Sequence, residues 1–209
     1  PCCRIIPIRQ LQLSGKFRRN LVYAYKKMAS IMPFMSMDTN TLPKPRINFN
    51  NMTALERCIV FCGVGFGSGL LPKAPGTFGS AFALLFVPVF MAIGFNASVI
   101  AMIMMSLIGI YICGRTADIM GVHDDGRIVW DEFAGQSITF LPLIYLGIMN
   151  WVWVLVGFAL FRLFDVWKPW PIRVIDQKVD GGFGIMFDDL IAGLWAAICI
   201  IIYLYIDMA

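Results

Sequence analysis

From Ala74 to Gly114 the chain runs for 41 residues without an Asp, Glu, Lys or Arg. A helix that crosses a bilayer needs about 20 apolar residues, so this one gap holds two crossings. The stretch "GFNAS" at 94–98 supplies a turn near its middle, with Gly94 and Asn96 as turn formers. The spacing therefore predicts a transmembrane helical hairpin.

Other uncharged gaps are shorter. Residues 133–161 give 29 positions, too few for two full crossings, which need roughly 60 Å of helix against about 43 Å available. Residues 190–206 give a marginal span of 17, and residues 58–72 give 15, rich in glycine, which reads as re-entrant or interfacial. Charged residues make up 14% of the 209, against about 25% in soluble domains. The fold class expected is all-α: a multi-helical membrane bundle with one transmembrane hairpin and re-entrant or marginal apolar helices.

Charge is unevenly placed. Residues 1–57 carry ten Lys/Arg against Asp38 and Glu56, net +8, while the other 152 residues are net −4. A basic tail can bind nucleic acid, but this one has no dense basic run and precedes apolar spans. It fits a cytoplasmic flank obeying the positive-inside rule, with no nucleic-acid partner. Residues 1–52 read as a flexible, Pro-interrupted tail in which "NLVYAYKKMASIM" suits a short surface helix. No apolar core of signal-peptide length opens the chain. Six cysteines form no metal or disulfide framework, and Cys58 and Cys62 read as packing residues. His123 is the only histidine, so multi-histidine metal sites and two-imidazole mechanisms are excluded.

Ten of the eleven acids beyond the tail fall between 118 and 189, several against apolar runs. Asp131 and Glu132 precede "FAGQSITFLPL", Asp165 ends "WVWVLVGFALFRLF", and Asp188 and Asp189 open "LIAGLWAAICIII". Carboxylates at such borders are costly unless paired or bound to a cation. Oxygen ligation without useful Cys or His favours Mg²⁺ or Mn²⁺ over zinc. For Asp188 and Asp189 a first-turn position, complementing a helix dipole, is the alternative.

In "RLFDVWKPWPIRVID" (162–176), Arg162 and Asp165 share a helix face and Pro169 and Pro171 end the helix. Lys168 and Arg173 flank the break, and Trp167 and Trp170 suit headgroup depth. An acid beside several cations at that depth suits a phosphorylated lipid headgroup. In "GFGSGLLPKAPGTFGS" (65–80), Gly76, Thr77 and Ser80 offer backbone and hydroxyl groups to a phosphate ahead of a helix. The aspartyl-nucleophile D-x-D-x-[TV] motif is missing. Metal-assisted attack by water remains, with Lys/Arg stabilising the developing charge.

The blocks "GFGSGLLPKAPGTFGS", "MGVHDDGRIVWDEFAG" and "FRLFDVWKPWPIRVIDQKVDGGFGIMFDDLIAG" resemble those of bacterial phosphatidylglycerophosphatase A, over about residues 53–206. The resemblance implies a Mg²⁺-dependent phosphatase of the bacterial inner membrane. Its substrate would be phosphatidylglycerophosphate, and its products phosphatidylglycerol and phosphate. It implies that residues 53–209 are the catalytic membrane domain. Asp131, Glu132, Asp165, Asp188 and Asp189 match its acidic motifs, as metal ligands or as the base that orients water. Arg162, Lys168 and Arg173 match its basic motif as phosphate contacts, Gly76, Thr77 and Ser80 match its "PGT" block, and His123 lies in its "VHD" block.

A single crossing by residues 133–161 would put Asp131 and Glu132 on the face opposite Asp165, where they share no metal ion. We expect the segment instead to dip in and return, bent near Pro142 and Asn150, with the acids on the cytoplasmic side. The main rival is a divalent-cation transporter whose pathway is lined by the same carboxylates. Oligomeric state is left open by the sequence.

Overall fold

The computed structural model describes residues 49, 52–121, 125–174, 179 and 181–208. Every regular element among them is helical. Residues 1–48 of the basic tail, His123, Asp124, Asp176 and Asp180 lie outside the described residues.

Helix α1 (Ala54–Gly63) opens on a capping box: Glu56 N–H donates to Thr53 Oγ1 at 3.3 Å and Thr53 N–H donates to Glu56 Oε2 at 2.9 Å. A short 3₁₀ segment follows (Gly65–Leu70), then α2 (Pro75–Ala83), with its proline in the first turn where no N–H is missed. After a 3₁₀ step at Leu84–Phe86, α3 (Val87–Ile93) continues, so that Pro75–Ile93 forms one apolar length of 19 residues.

Gly94, at φ +81°, reverses the chain into α4 (Phe95–Met120). Ser98 ties this turn, its Oγ lying 2.7 Å from the Phe90 carbonyl and 2.8 Å from that of Gly94. The predicted hairpin and its turn are thus both present.

Residues 133–161 do not form one span. They divide into α5 (Trp130–Thr139), α6 (Leu141–Leu146) and most of α7 (Trp151–Trp167). Pro142 sits in the first turn of α6, Gly147 ends it at φ +66°, and Asn150 caps α7 by accepting from Trp153 N–H at 3.0 Å. The start of α5 and the end of α7 lie together, with Glu132 Oε1 3.4 Å from Arg162 Nη1, so the chain returns on α7 to the end it left on α5.

The last helix, α8 (Gly181–Met208), is longer than the 190–206 gap suggested. Its glycines permit the early start: a Cβ on Gly182 would collide with the Ile110 carbonyl and the Gly114 backbone of α4. Asp188 and Asp189 consequently sit two turns inside α8, with no acid in its first turn. The helix-dipole alternative for this pair is therefore set aside.

Three helical lengths are long and apolar enough to cross a membrane: Pro75–Ile93, Phe95–Met120 and Gly181–Asp207. Ile100, Ile103, Met104, Leu107 and Tyr111 of α4 stay exposed, as do Ile201, Ile202 and Tyr203 of α8, which suits contact with lipid. One core joins Phe90, Met102, Phe140, Leu143 and Ile200, and another joins Cys113, Ala117, Ala134 and Met186. Short α5 lies at the centre. Gly135 meets the Asp189 backbone and Gly193 meets the Gly135 carbonyl, so α5 and α8 cross at near backbone contact.

Candidate active site

The alternating helix directions bring the N-terminal parts of α2, α5 and α8 to one end of the bundle, with the C-terminal end of α7. All five predicted carboxylates are there. Asp131 and Glu132 stand in the first turn of α5, Asp165 near the end of α7, and Asp188 and Asp189 on α8.

Arg162 is the hub. Its Nη1 donates to Asp165 Oδ2 at 2.5 Å, and reaches Glu132 Oε1 at 3.4 Å and Ser80 Oγ at 3.3 Å. Ser80, fully buried, lies 3.1 Å from Glu132 Oε2 and 2.9 Å from the Gly76 carbonyl. Lys168 ends α7 in the left-handed conformation (φ +46°) ahead of Pro169, and its Nζ donates to Asp188 Oδ2 at 2.7 Å. Asp188 Oδ1 in turn accepts the Asp189 N–H at 3.0 Å.

Among the described residues, Arg162 pairs with Glu132 and Asp165, and Lys168 pairs with Asp188. Burial raises the Glu132 carboxyl to about 8, against the pull of Arg162 and with a further push from Asp165. Burial also holds Asp131 well above the carboxylate range, reinforced by the charges of Glu132 and Asp188. Asp131 keeps part of its surface open, but its Oδ1 is enclosed and has no hydrogen-bond partner.

Among the described residues no three acids already stand as a ligand cage. Mg²⁺ does not require one, because it keeps several waters and takes one or two carboxylates plus substrate phosphate. An all-oxygen cluster with excess negative charge and an unpartnered buried oxygen fits such an ion.

The remaining predicted residues are placed as follows. Arg173 is exposed and makes no ion pair among the described residues. Thr77 is half-buried in the first turn of α2. Gly76 abuts Glu132 and Arg162, where a Cβ would strike Glu132 Oε1.

Sequence reasoning missed Gln136, fully buried one turn below Glu132 with neither amide atom partnered. A lone amide four residues from Glu132 in an apolar run was the available signal. It also missed the Asp125–Arg127 pair, joined at 2.6 and 2.9 Å, in the loop leading into α5. That loop is pinned by Val129 N–H donating to the Gly63 carbonyl at 2.9 Å and by Gly69 packed on the Arg127 carbonyl.

Residues 61–204 match the profile of the family described as Phosphatidylglycerophosphatase A. The chain is 48% identical over 134 residues to phosphatidylglycerophosphatase A of Escherichia coli, covering 64% of this chain and 76% of that protein. It is 47% identical over 138 residues to the Haemophilus influenzae protein of the same name, covering 66% of this chain and 83% of that one. No solved structure matches at a significant level.

Proposed function

The chain belongs to the phosphatidylglycerophosphatase A family, and on that premise we propose that it hydrolyses the terminal phosphate monoester of phosphatidylglycerophosphate, giving phosphatidylglycerol and inorganic phosphate. The observation that carries this reading is the gathering of Asp131, Glu132, Asp165, Asp188 and Asp189 with Arg162 and Lys168 at one end of a membrane bundle.

Mg²⁺ held by a subset of these acids would neutralise phosphate charge and lower the pKa of a bound water. The protein's own groups do the rest. Arg162 and Lys168 present N–H donors where a phosphate oxygen would gain charge, each already fixed by a carboxylate. Thr77, next to Gly76, and the exposed Arg173 are the further phosphate contacts of this reading. Burial raises Glu132 to about 8 without a metal, and once a bound cation favours its ionised form it would take a proton from an attacking water. The N-terminus of α5, whose first turn carries Asp131 and Glu132, adds partial positive charge toward an anion. We place the site on the cytoplasmic face of a bacterial inner membrane, because the basic tail marks that side.

The same acids in a cation pathway would sit against Arg162 and Lys168 at 2.5 and 2.7 Å, which repel a travelling cation. This favours hydrolysis over transport. The test is phosphate release from phosphatidylglycerophosphate in detergent. Release with Mg²⁺ that stops with chelator is expected, and no release with Mg²⁺ would refute the proposal.

A further inference from the structure

We infer that Gly76, Gly79 and Ser80 form a socket for the Glu132 carboxylate, and that Ser80 is a positioning residue acting through Glu132 instead of a phosphate ligand. The inference rests on the phosphatase reading and identifies how one of its carboxylates is held.

In "PGTFGS" the three residues are spaced i, i+3 and i+4, which puts them on one face of α2. That face carries no side chain larger than a hydroxymethyl, and it lies against Glu132. A Cβ on Gly76 would strike Glu132 Oε1 and come within 3.3 Å of Arg162 Nη1. A Cβ on Gly79 would come within 2.6 Å of Glu132 Oε2 and 2.7 Å of Val129 Cβ. The two glycines therefore leave room for both carboxylate oxygens, and Ser80 supplies the polar contact between them and Arg162.

Ser80's bonding capacity argues against a phosphate role. A hydroxyl has one hydrogen to donate and two lone pairs to accept with. Its hydrogen is contested by Glu132 Oε2 at 3.1 Å and the Gly76 carbonyl at 2.9 Å, while a lone pair takes the Arg162 N–H at 3.3 Å. A phosphate oxygen only accepts, so it would have to take that single hydrogen from both. The side chain is also fully buried. Thr77, on the adjoining face and half-buried, is the hydroxyl of this block left for substrate.

The test is a double-mutant cycle on Ser80→Ala and Glu132→Gln, with Ser80→Thr as the conservative variant. Thermal midpoints in detergent and turnover of phosphatidylglycerophosphate are measured for each. Ser80→Ala alone should lower the midpoint and cut kcat roughly tenfold or more, with KM within about twofold, and Ser80→Thr should restore kcat. Added to Glu132→Gln, it should shift the midpoint by less than it does alone, since its partner is already changed. Additive midpoint shifts, or a loss confined to KM, would overturn the socket. If Ser80→Ala does not fold, Ser80→Cys, similar in shape and a weak donor, takes its place in the cycle. Failure of the unmodified protein to release phosphate would instead count against the phosphatase reading, while the midpoint cycle still decides the socket.

Discussion

Glu132 makes the stability of the metal-free protein depend on pH in a defined direction. Its carboxyl lies at about 8 in the folded chain, against an ordinary 4.5, mainly through burial. Between those values the folded state holds a proton that the unfolded chain releases. Unfolding free energy therefore falls as pH rises through that window. Integrated over about 3.5 pH units at about 1.4 kcal/mol each, the loss is on the order of 5 kcal/mol. For a chain of this size that is a drop of roughly 10–20 °C in the unfolding midpoint. Asp131, raised by burial, adds to the same trend. Glu132→Gln keeps the shape and stays neutral, so its midpoint should fall less steeply, by the slope of one proton. Thermal unfolding in detergent with chelator, at pH 5, 6, 7 and 8, measures this directly. Adding Mg²⁺ should flatten the wild-type curve, because a cation favours the ionised acids. Parallel pH curves for wild type and Glu132→Gln would refute the reasoning.

Asp165→Asn and Asp189→Asn should each lower turnover by roughly two to three orders of magnitude while expression and helix content stay intact, as read by phosphate release and circular dichroism. Gln136→Met removes two unpartnered buried polar atoms at nearly constant volume, so activity should persist and the midpoint should hold or rise, by up to about 1–3 kcal/mol of stability. Gly135→Ala should cost about 1–3 kcal/mol and lower turnover, because its methyl meets the Asp189 backbone and Phe161 where α5 crosses α8.

The hairpin was legible because lipid forbids unpaired charge over two helix lengths, and the gap from Ala74 to Gly114 obeys that rule. Length excluded two full crossings by residues 133–161, and the return followed from requiring the acids at its two ends to meet, with Pro142 and Asn150 flanking the bend. The start of α8 at Gly181 was not. "GGFG" has poor helix propensity, and it is helical here because Gly182 packs on α4, a contact that propensity does not contain. The Gly-Thr-Ser block reads in the sequence as a phosphate cradle, but the neighbour that Ser80 meets is the Glu132 carboxylate, 52 residues away in the chain. Gly135 meeting Gly193 was hidden for the same reason. Small residues reveal that something comes near without saying what.

Most depends on a divalent ion bound where acids from three helices meet. Its most direct test is the anomalous scattering of Mn²⁺ soaked into crystals of the full chain. The account predicts a peak at the end of the bundle within about 2.0–2.3 Å of oxygens from at least two of Asp131, Glu132, Asp165, Asp188 and Asp189. A peak elsewhere, or none there while the protein remains able to cleave its lipid substrate, would contradict it.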